Sequence, residues 1–218
     1  MICGAYARSE IQLLARNFPT VCLGLHATVT SEWEGVKWGS VGKRPPGLVD
    51  EHGHFHPHPR FLCQVSPQVI LEEIRSQIVE ARKWDLPFSY LDEHMGFSWV
   101  HGLQPTLAEL AQEFGLLYFP RLPLSNSGPL IPHQLPQWRE TWQAMGPEPQ
   151  LLITHPTVDD DSSRLLFNES LPPGKVPTQR QAEFEVLRCP DWQRSLADKG
   201  VRLITYRDLP IDCENNSE

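Results

Sequence analysis

The stretch Val21-Cys22-Leu23-Gly24-Leu25-His26-Ala27-Thr28-Val29-Thr30-Ser31-Glu32-Trp33 is an apolar run that closes on a histidine and a cluster of polar residues. A run this short, bounded by turn formers, reads as a buried strand. It predicts a strand over Thr20 to Leu25 that delivers His26 to its C-terminal mouth. Four further short runs have the same character, at Phe88 to Leu91, Leu116 to Phe119, Leu151 to Thr154 and Val201 to Thr205.

Helical periodicity fills the spaces between them. Ser9 to Asn17 has Ile11, Leu14 and Ala15 at helical spacing, Ser9 as N-cap and Phe18-Pro19 as its stop. Ser66-Pro67 opens a longer amphipathic helix to about Trp84, with Val69, Ile70, Ile74 and Ile78 on one side and Glu72, Glu73, Arg75, Glu80 and Arg82 on the other. Pro105 to Phe114, Leu135 to Met145, Arg180 to Leu187 and Pro190 to Lys199 complete the set. Short apolar strands alternating with helices imply an α/β fold with parallel strands joined by right-handed crossovers, either an open doubly wound sheet or a (β/α) barrel. The chain starts on a helix where such a unit should start on a strand, so an N-terminally incomplete fold is expected. Residues 28 to 59 form a long irregular segment, and loops of roughly 30 residues in a compact domain usually serve as lids or binding loops.

Composition bounds what the chain can do. Its 218 residues, 40% hydrophobic and 21% charged, suit a single domain over 1–218, with the tail from about 210 flexible. A formal charge of -8 argues against nucleic acid, whose partners gather Lys and Arg. The five cysteines are scattered without a Cys-x-x-Cys pair, which suits reduced thiols in the cytoplasm. Neither a leader nor an apolar run of membrane-spanning length is visible, so a soluble protein without a membrane partner is expected. A homodimer is compatible with this composition.

In parallel α/β folds the reacting groups collect on loops after the strands. Here those positions hold His26, Glu32 and Trp33; then Asp92, Glu93 and His94; then Arg121; then His155-Pro156 and Asp159-Asp160-Asp161; then Tyr206, Arg207 and Asp208. Histidines with a carboxylate are usual ligands for a hydrolytic divalent ion. His26 and His94 make the best pair, although each alone could be a hydrogen-bonded rim histidine. The alternating His52, His54, His56 and His58 look like a metal motif, but their Gly- and Pro-bounded setting favours a solvated hairpin. The three aspartates favour a turn or helix cap over a cation cage. Trp33 and Trp38 could equally pack in the core or stack on a sugar ring.

Taken together, Gly24-Leu25-His26-x-Thr28-x-Thr30-Ser31-Glu32-Trp33 with Trp38-Gly39, Gly47-Leu48-Val49-Asp50-Glu51-x-Gly53, Leu91-Asp92-x-His94-Met95-Gly96, His155-Pro156 and Ile204-Thr205-Tyr206-Arg207-Asp208-Leu209 resemble the YdjC-like carbohydrate deacetylases. The resemblance implies a distorted (β/α) barrel of the glycoside hydrolase and deacetylase type. It further implies a Mg²⁺ or Zn²⁺-type ion held by one Asp and two His, and hydrolysis of the N-acetyl group of a small amino sugar or chitooligosaccharide. Carried onto this chain, it makes His26 and His94 the metal ligands and His155 the catalytic histidine that protonates the leaving amine or orients the substrate. Glu32, Trp33, Trp38 and Arg121 are the rim residues taken as substrate contacts. Family members open on a strand ending in Asp-Asp, upstream of the segment matching Met1 to Pro19, so the resemblance also implies a chain short of one ligand and impaired in activity. Two rival readings stay open: a non-catalytic carbohydrate-binding or regulatory barrel, and a glycosidase using Glu32 and Asp92.

Overall fold

The computed structural model describes residues 1–4, 7–119, 122–124, 130 and 147–209. Among these, the element order is α1 (Ala7–Asn17), β1 (Leu23–Ala27), a 3-10 turn (Pro59–Gln64), α2 (Pro67–Arg82), β2 (Phe88–Glu93), a second 3-10 segment (His94–Gly102) and α3 (Gln104–Glu113). Short 3-10 turns at Ser163–Leu165 and Tyr206–Asp208 flank two later helices, Lys175–Arg188 and Pro190–Asp198. The expected helix at Leu135 to Met145, the residue Arg121 and the tail from 210 lie outside the described residues. The chain divides into two compact units: Met1–Glu32, Lys37–Pro120 and Thr205–Glu218 form the first, and Trp33–Val36 with Arg121–Ile204 form the second.

In the first unit β1 and β2 pair in parallel, with Gly24 against Tyr90, Leu25 against Leu91, His26 against Asp92 and Ala27 against Glu93. Alternation puts Leu23, Leu25 and Ala27 inside and leaves Gly24 and His26 half-buried on the opposite face. The strand therefore runs two residues further than the apolar count suggests, and His26 sits within it rather than after it. α2 packs against β1, burying Ile70, Ile74, Ile78 and Ala81; each such isoleucine stabilises the fold by about 2 kcal/mol.

Several expectations are corrected. Ser9 lies in the first turn of α1 and does not cap it, since the helix already begins at Ala7. The third strand contracts to a parallel bridge of Leu117 with Tyr90, made by Leu91 N–H to the Leu117 carbonyl and Leu117 N–H to the Ser89 carbonyl. The fourth contracts to a parallel bridge of Leu151 with Leu124. Residues 201–205 are not a strand: Leu203 and Ile204 point to solvent, 68% and 39% exposed, and an apolar run needs a face to bury before it becomes one. Among the described residues the parallel α/β character stands, in a two-stranded sheet rather than the five strands expected.

Polar residues inside the unit organise the long segment after β1. Gln77 accepts from Thr28 N–H at 3.1 Å through its side-chain oxygen and donates to the Thr28 carbonyl at 2.7 Å, replacing a strand partner for that residue. Glu73, expected on the solvent side of α2, is 3% exposed. Its carboxylate accepts from the Ser40 hydroxyl, from Val41 and Gly42 N–H and from Gln77. The segment closes on antiparallel bridges of Gly39 with His54 and Val49 with Phe55. Asp50 accepts from His52 and His54 N–H in the turn, which holds its carboxyl below the usual range. The second unit is built around Leu130, Val186, Trp192 and Leu196.

Side-chain space is tightly fixed at Gly24. A Cβ there would lie 2.1 Å from the Tyr90 ring, which is itself stacked on Tyr206 with centroids 4.1 Å apart. Gly24→Ala should destabilise the protein by about 1–3 kcal/mol in chemical denaturation, as overpacking does. Adding Tyr90→Ala should recover part of that loss, and strictly additive effects of the two changes would contradict the close approach.

Candidate active site

The in-register pairing of His26 with Asp92 sets both side chains on one face of the sheet. His94, two residues beyond Asp92, follows the same period of two, and the backbone reverses directly behind it, with φ of 56° at both Met95 and Gly96. Met95 thus holds a left-handed conformation that is unusual for a residue with a side chain. The turn is tied from below by Glu93, whose carboxylate accepts from Ser98 N–H at 2.7 Å and from the buried Tyr118 hydroxyl.

Four side chains form a continuous hydrogen-bonded row. His26 Nδ1 lies 2.8 Å from Asp92 Oδ1, His26 Nε2 lies 3.2 Å from His94 Nδ1, and His94 Nε2 lies 2.8 Å from Glu32 Oε2. The ends differ in burial: the His26 and Asp92 side chains are 37% and 39% exposed, those of His94 and Glu32 only 13% each. Trp38 packs edge-on against His94 with centroids 6.0 Å apart. Its ring is buried and its Nε1 donates to the Thr30 carbonyl, so it forms a wall behind the imidazole. Tyr90 and Tyr206 stand near Asp92; burial first, then that carboxylate, raises both phenols, Tyr206 to about 12, so both stay protonated at neutral pH.

The nitrogens His26 Nε2 and His94 Nδ1 converge as two ligands of one ion would. Two imidazoles on a tetrahedral ion at about 2.0–2.1 Å per bond are separated by about 3.3 Å between nitrogens. The donor set therefore fits a divalent cation from the side of these two residues. Among the described residues no group of three or more His, Cys, Asp or Glu side chains is placed to complete a metal cage.

Of the predicted site residues, His26, His94, Glu32 and Trp38 come together in the first unit. Asp92 joins them, and its signal in the sequence is the Asp-x-His spacing. Trp33 belongs to the second unit, where it is buried with the Arg180 guanidinium 5.6 Å from its ring centroid. His155 is also in the second unit, exposed, with its backbone N–H donating to Glu183 at 2.9 Å. Glu183 is 2% exposed and its other oxygen accepts from Leu130 N–H at 2.9 Å. Sequence reading misses Glu183 because a glutamate on a helix reads as solvent-facing. Asp160 caps the Ser163–Leu165 turn by accepting from Ser163 N–H at 2.7 Å, and Arg164 pairs with Asp159 at 2.8 Å, so the three aspartates form a turn.

Comparison with known proteins adds three findings. The family model of YdjC-like proteins matches residues 1–146. A carbohydrate deacetylase of Brevibacillus brevis is 22% identical over 210 residues, covering 90% of this chain and 81% of the relative. A protein of Enterococcus faecalis V583 assigned to cellobiose-phosphate cleavage shares the fold, with a TM-score of 0.71 and 20% identity, over 95% of this chain and 85% of its own.

The Glu183 clamp makes a stability prediction. Glu183→Leu leaves the buried Leu130 N–H and the partly buried His155 N–H without their acceptor, and an orphaned buried amide costs about 1–3 kcal/mol. The variant should lose about 1–3 kcal/mol in urea denaturation, while Glu183→Gln, which keeps one acceptor oxygen, should lose less. Equal losses for the two would show that the clamp contributes little.

Proposed function

The chain belongs to the family of YdjC-like proteins, and from that membership we propose that it is a metal-dependent carbohydrate deacetylase, removing the N-acetyl group of an amino sugar or short chitooligosaccharide. The observation that carries this is the approach of His26 Nε2 and His94 Nδ1 to 3.2 Å. The fold is read as a distorted (β/α) barrel, supported by the parallel pairing of β1 with β2 and by the Leu117 bridge beside it.

In this reading His26 and His94 hold a Mg²⁺ or Zn²⁺-type ion. When bound, the ion polarises the acetamide carbonyl and lowers the pKa of water enough to make it a nucleophile at neutral pH. The remaining work falls to the chain. Asp92, accepting from His26 Nδ1–H, favours the tautomer whose Nε2 carries a lone pair and fixes the orientation of the ring. Trp38 shuts bulk water away from the buried side of His94, which lowers the local dielectric and strengthens charge interactions there. The proton that the departing amine requires is assigned, on the sequence motif alone, to His155.

The test is acetate release from N-acetylglucosamine oligomers with Mg²⁺ or Zn²⁺ supplied. We expect slow release that stops on chelation and falls by about 100-fold or more in His26→Ala and in His94→Ala, the loss typical when a catalytic ion is displaced. Release that survives His26→Ala would overturn the assignment. Sugar binding by calorimetry that is indifferent to chelation, with no acetate formed, would favour a non-catalytic carbohydrate-binding protein instead.

A further inference from the structure

We propose that Glu32 is a positioning residue for the ion and not a contact for the sugar: it fixes His94 in the tautomer that offers Nδ1, so that the site binds its cation through Nε2 of His26 and Nδ1 of His94. This rests on the metal-dependent reading of the site and deepens it.

The basis is proton counting. An ionised carboxylate can only accept, so in the 2.8 Å contact with Glu32 Oε2 it is His94 Nε2 that carries the hydrogen and donates. The same holds for His26 Nδ1 opposite Asp92 Oδ1, also at 2.8 Å. A neutral imidazole has a single N–H. Both inner nitrogens are then lone-pair acceptors, facing each other at 3.2 Å. Two neutral acceptors at that separation repel, so a cation belongs between them: a shared proton in the metal-free protein, the metal ion when it is bound. The carboxylates on the outside thus decide what the inside can hold.

Burial decides which carboxylate matters more. Asp92 and His26 are more than a third exposed, so water screens their interaction and can substitute for the carboxylate. Glu32 and His94 are 13% exposed, and a charge-assisted hydrogen bond in that setting is stronger and harder to replace. The base from which Glu32 reaches is also rigid. Thr30 and Ser31 are fully buried; Ser31 N–H donates to the His56 carbonyl at 3.0 Å, and Trp38 N–H and Nε1 bind the Ser31 hydroxyl and the Thr30 carbonyl. With Trp38 against its ring, His94 is held by packing on one side and by Glu32 at its far nitrogen.

Standing just beyond the mouth of a strand, Glu32 reads in the sequence as a substrate contact. Its position against His94 Nε2 gives that oxygen a different task. Partners of this kind, hydrogen-bonded to the far nitrogen of a ligating histidine, typically change metal affinity by about 10–100-fold when removed.

The experiment titrates Zn²⁺ alone into the full chain by competition with a chelator, for the wild type, Glu32→Ala, Glu32→Gln, Asp92→Ala and His26→Ala. Glu32→Ala should weaken Zn²⁺ binding by about 10–100-fold. Glu32→Gln, whose amide oxygen can still accept from Nε2–H, should recover most of that, and Asp92→Ala should lose less than Glu32→Ala. With Zn²⁺ saturating, KM for the sugar should be unchanged by Glu32→Ala. Long-range ¹⁵N correlation spectra of the metal-free wild type should show His94 protonated at Nε2, which tests the assignment without any variant. A Glu32→Ala protein with wild-type Zn²⁺ affinity and a raised KM overturns the proposal in favour of a substrate contact, as does His94 with Nε2 unprotonated. If Zn²⁺ binding is lost in His26→Ala but unmoved in Glu32→Ala, only the role of Glu32 falls. If the wild type binds no Zn²⁺, the metal-dependent reading falls with it.

Discussion

The parallel pairing of β1 with β2 is the constraint on which the first unit depends. Parallel strands put in-register residues on the same face, so aligning His26 with Asp92 fixes two of the four polar side chains at once. The alternation of two residues then brings His94 to the same side. A register slip by one would move the buried Leu23, Leu25 and Ala27 to the solvent face, and the core residues of α2 would lose their cover. The hydrophobic pattern therefore guards the geometry of the polar site, because the same shift that would spoil the site would also unmake the core.

The segment after β1 is rigid without a regular ladder. Thr28, Thr30 and Ser31 are buried with their polar groups paired, and among the described residues no buried side-chain nitrogen or oxygen lacks a partner. Gln77 and Glu73 supply much of that pairing from one face of α2, four residues apart, between turns that carry Ile70, Ile74 and Ile78. Buried amide and carboxylate groups are costly unless satisfied, so the network holds the segment in one arrangement or gives up several kilocalories per mole. Glu32 inherits its precision from this arrangement.

The parts legible in sequence are those carried by strong local signals. α2 announces itself through Ser66-Pro67 and its isoleucine spacing, and its expected bounds come within two residues of the observed Pro67–Arg82. His26 and His94 stand out because each follows or ends an apolar run. The shorter pairings are harder to read, since Leu116 to Phe119 and Leu151 to Thr154 have strand-like composition but pair at single positions. Composition records what could be buried, whereas a ladder requires a partner at the right height. Glu73 and Glu183 are invisible for a related reason: both donate nothing and accept backbone N–H groups from distant segments, and nothing local to a helix distinguishes such a glutamate from a solvated one.

The same contacts bear on the choice among hydrolytic chemistries. A glycosidase needs two carboxyl groups flanking the scissile bond, with one able to give up a proton and the other to attack or to activate water, at about 5–9.5 Å from each other. Glu32 and Asp92 are the available pair in the sequence. Each spends an oxygen on an imidazole instead, Glu32 on His94 and Asp92 on His26, and Glu32 is buried behind its histidine rather than facing an open mouth. An acid confined in this way cannot approach a glycosidic oxygen without first releasing His94. Two carboxylates held on the outer nitrogens of two converging imidazoles suit the proposed hydrolysis at a cation better than hydrolysis by a carboxyl pair.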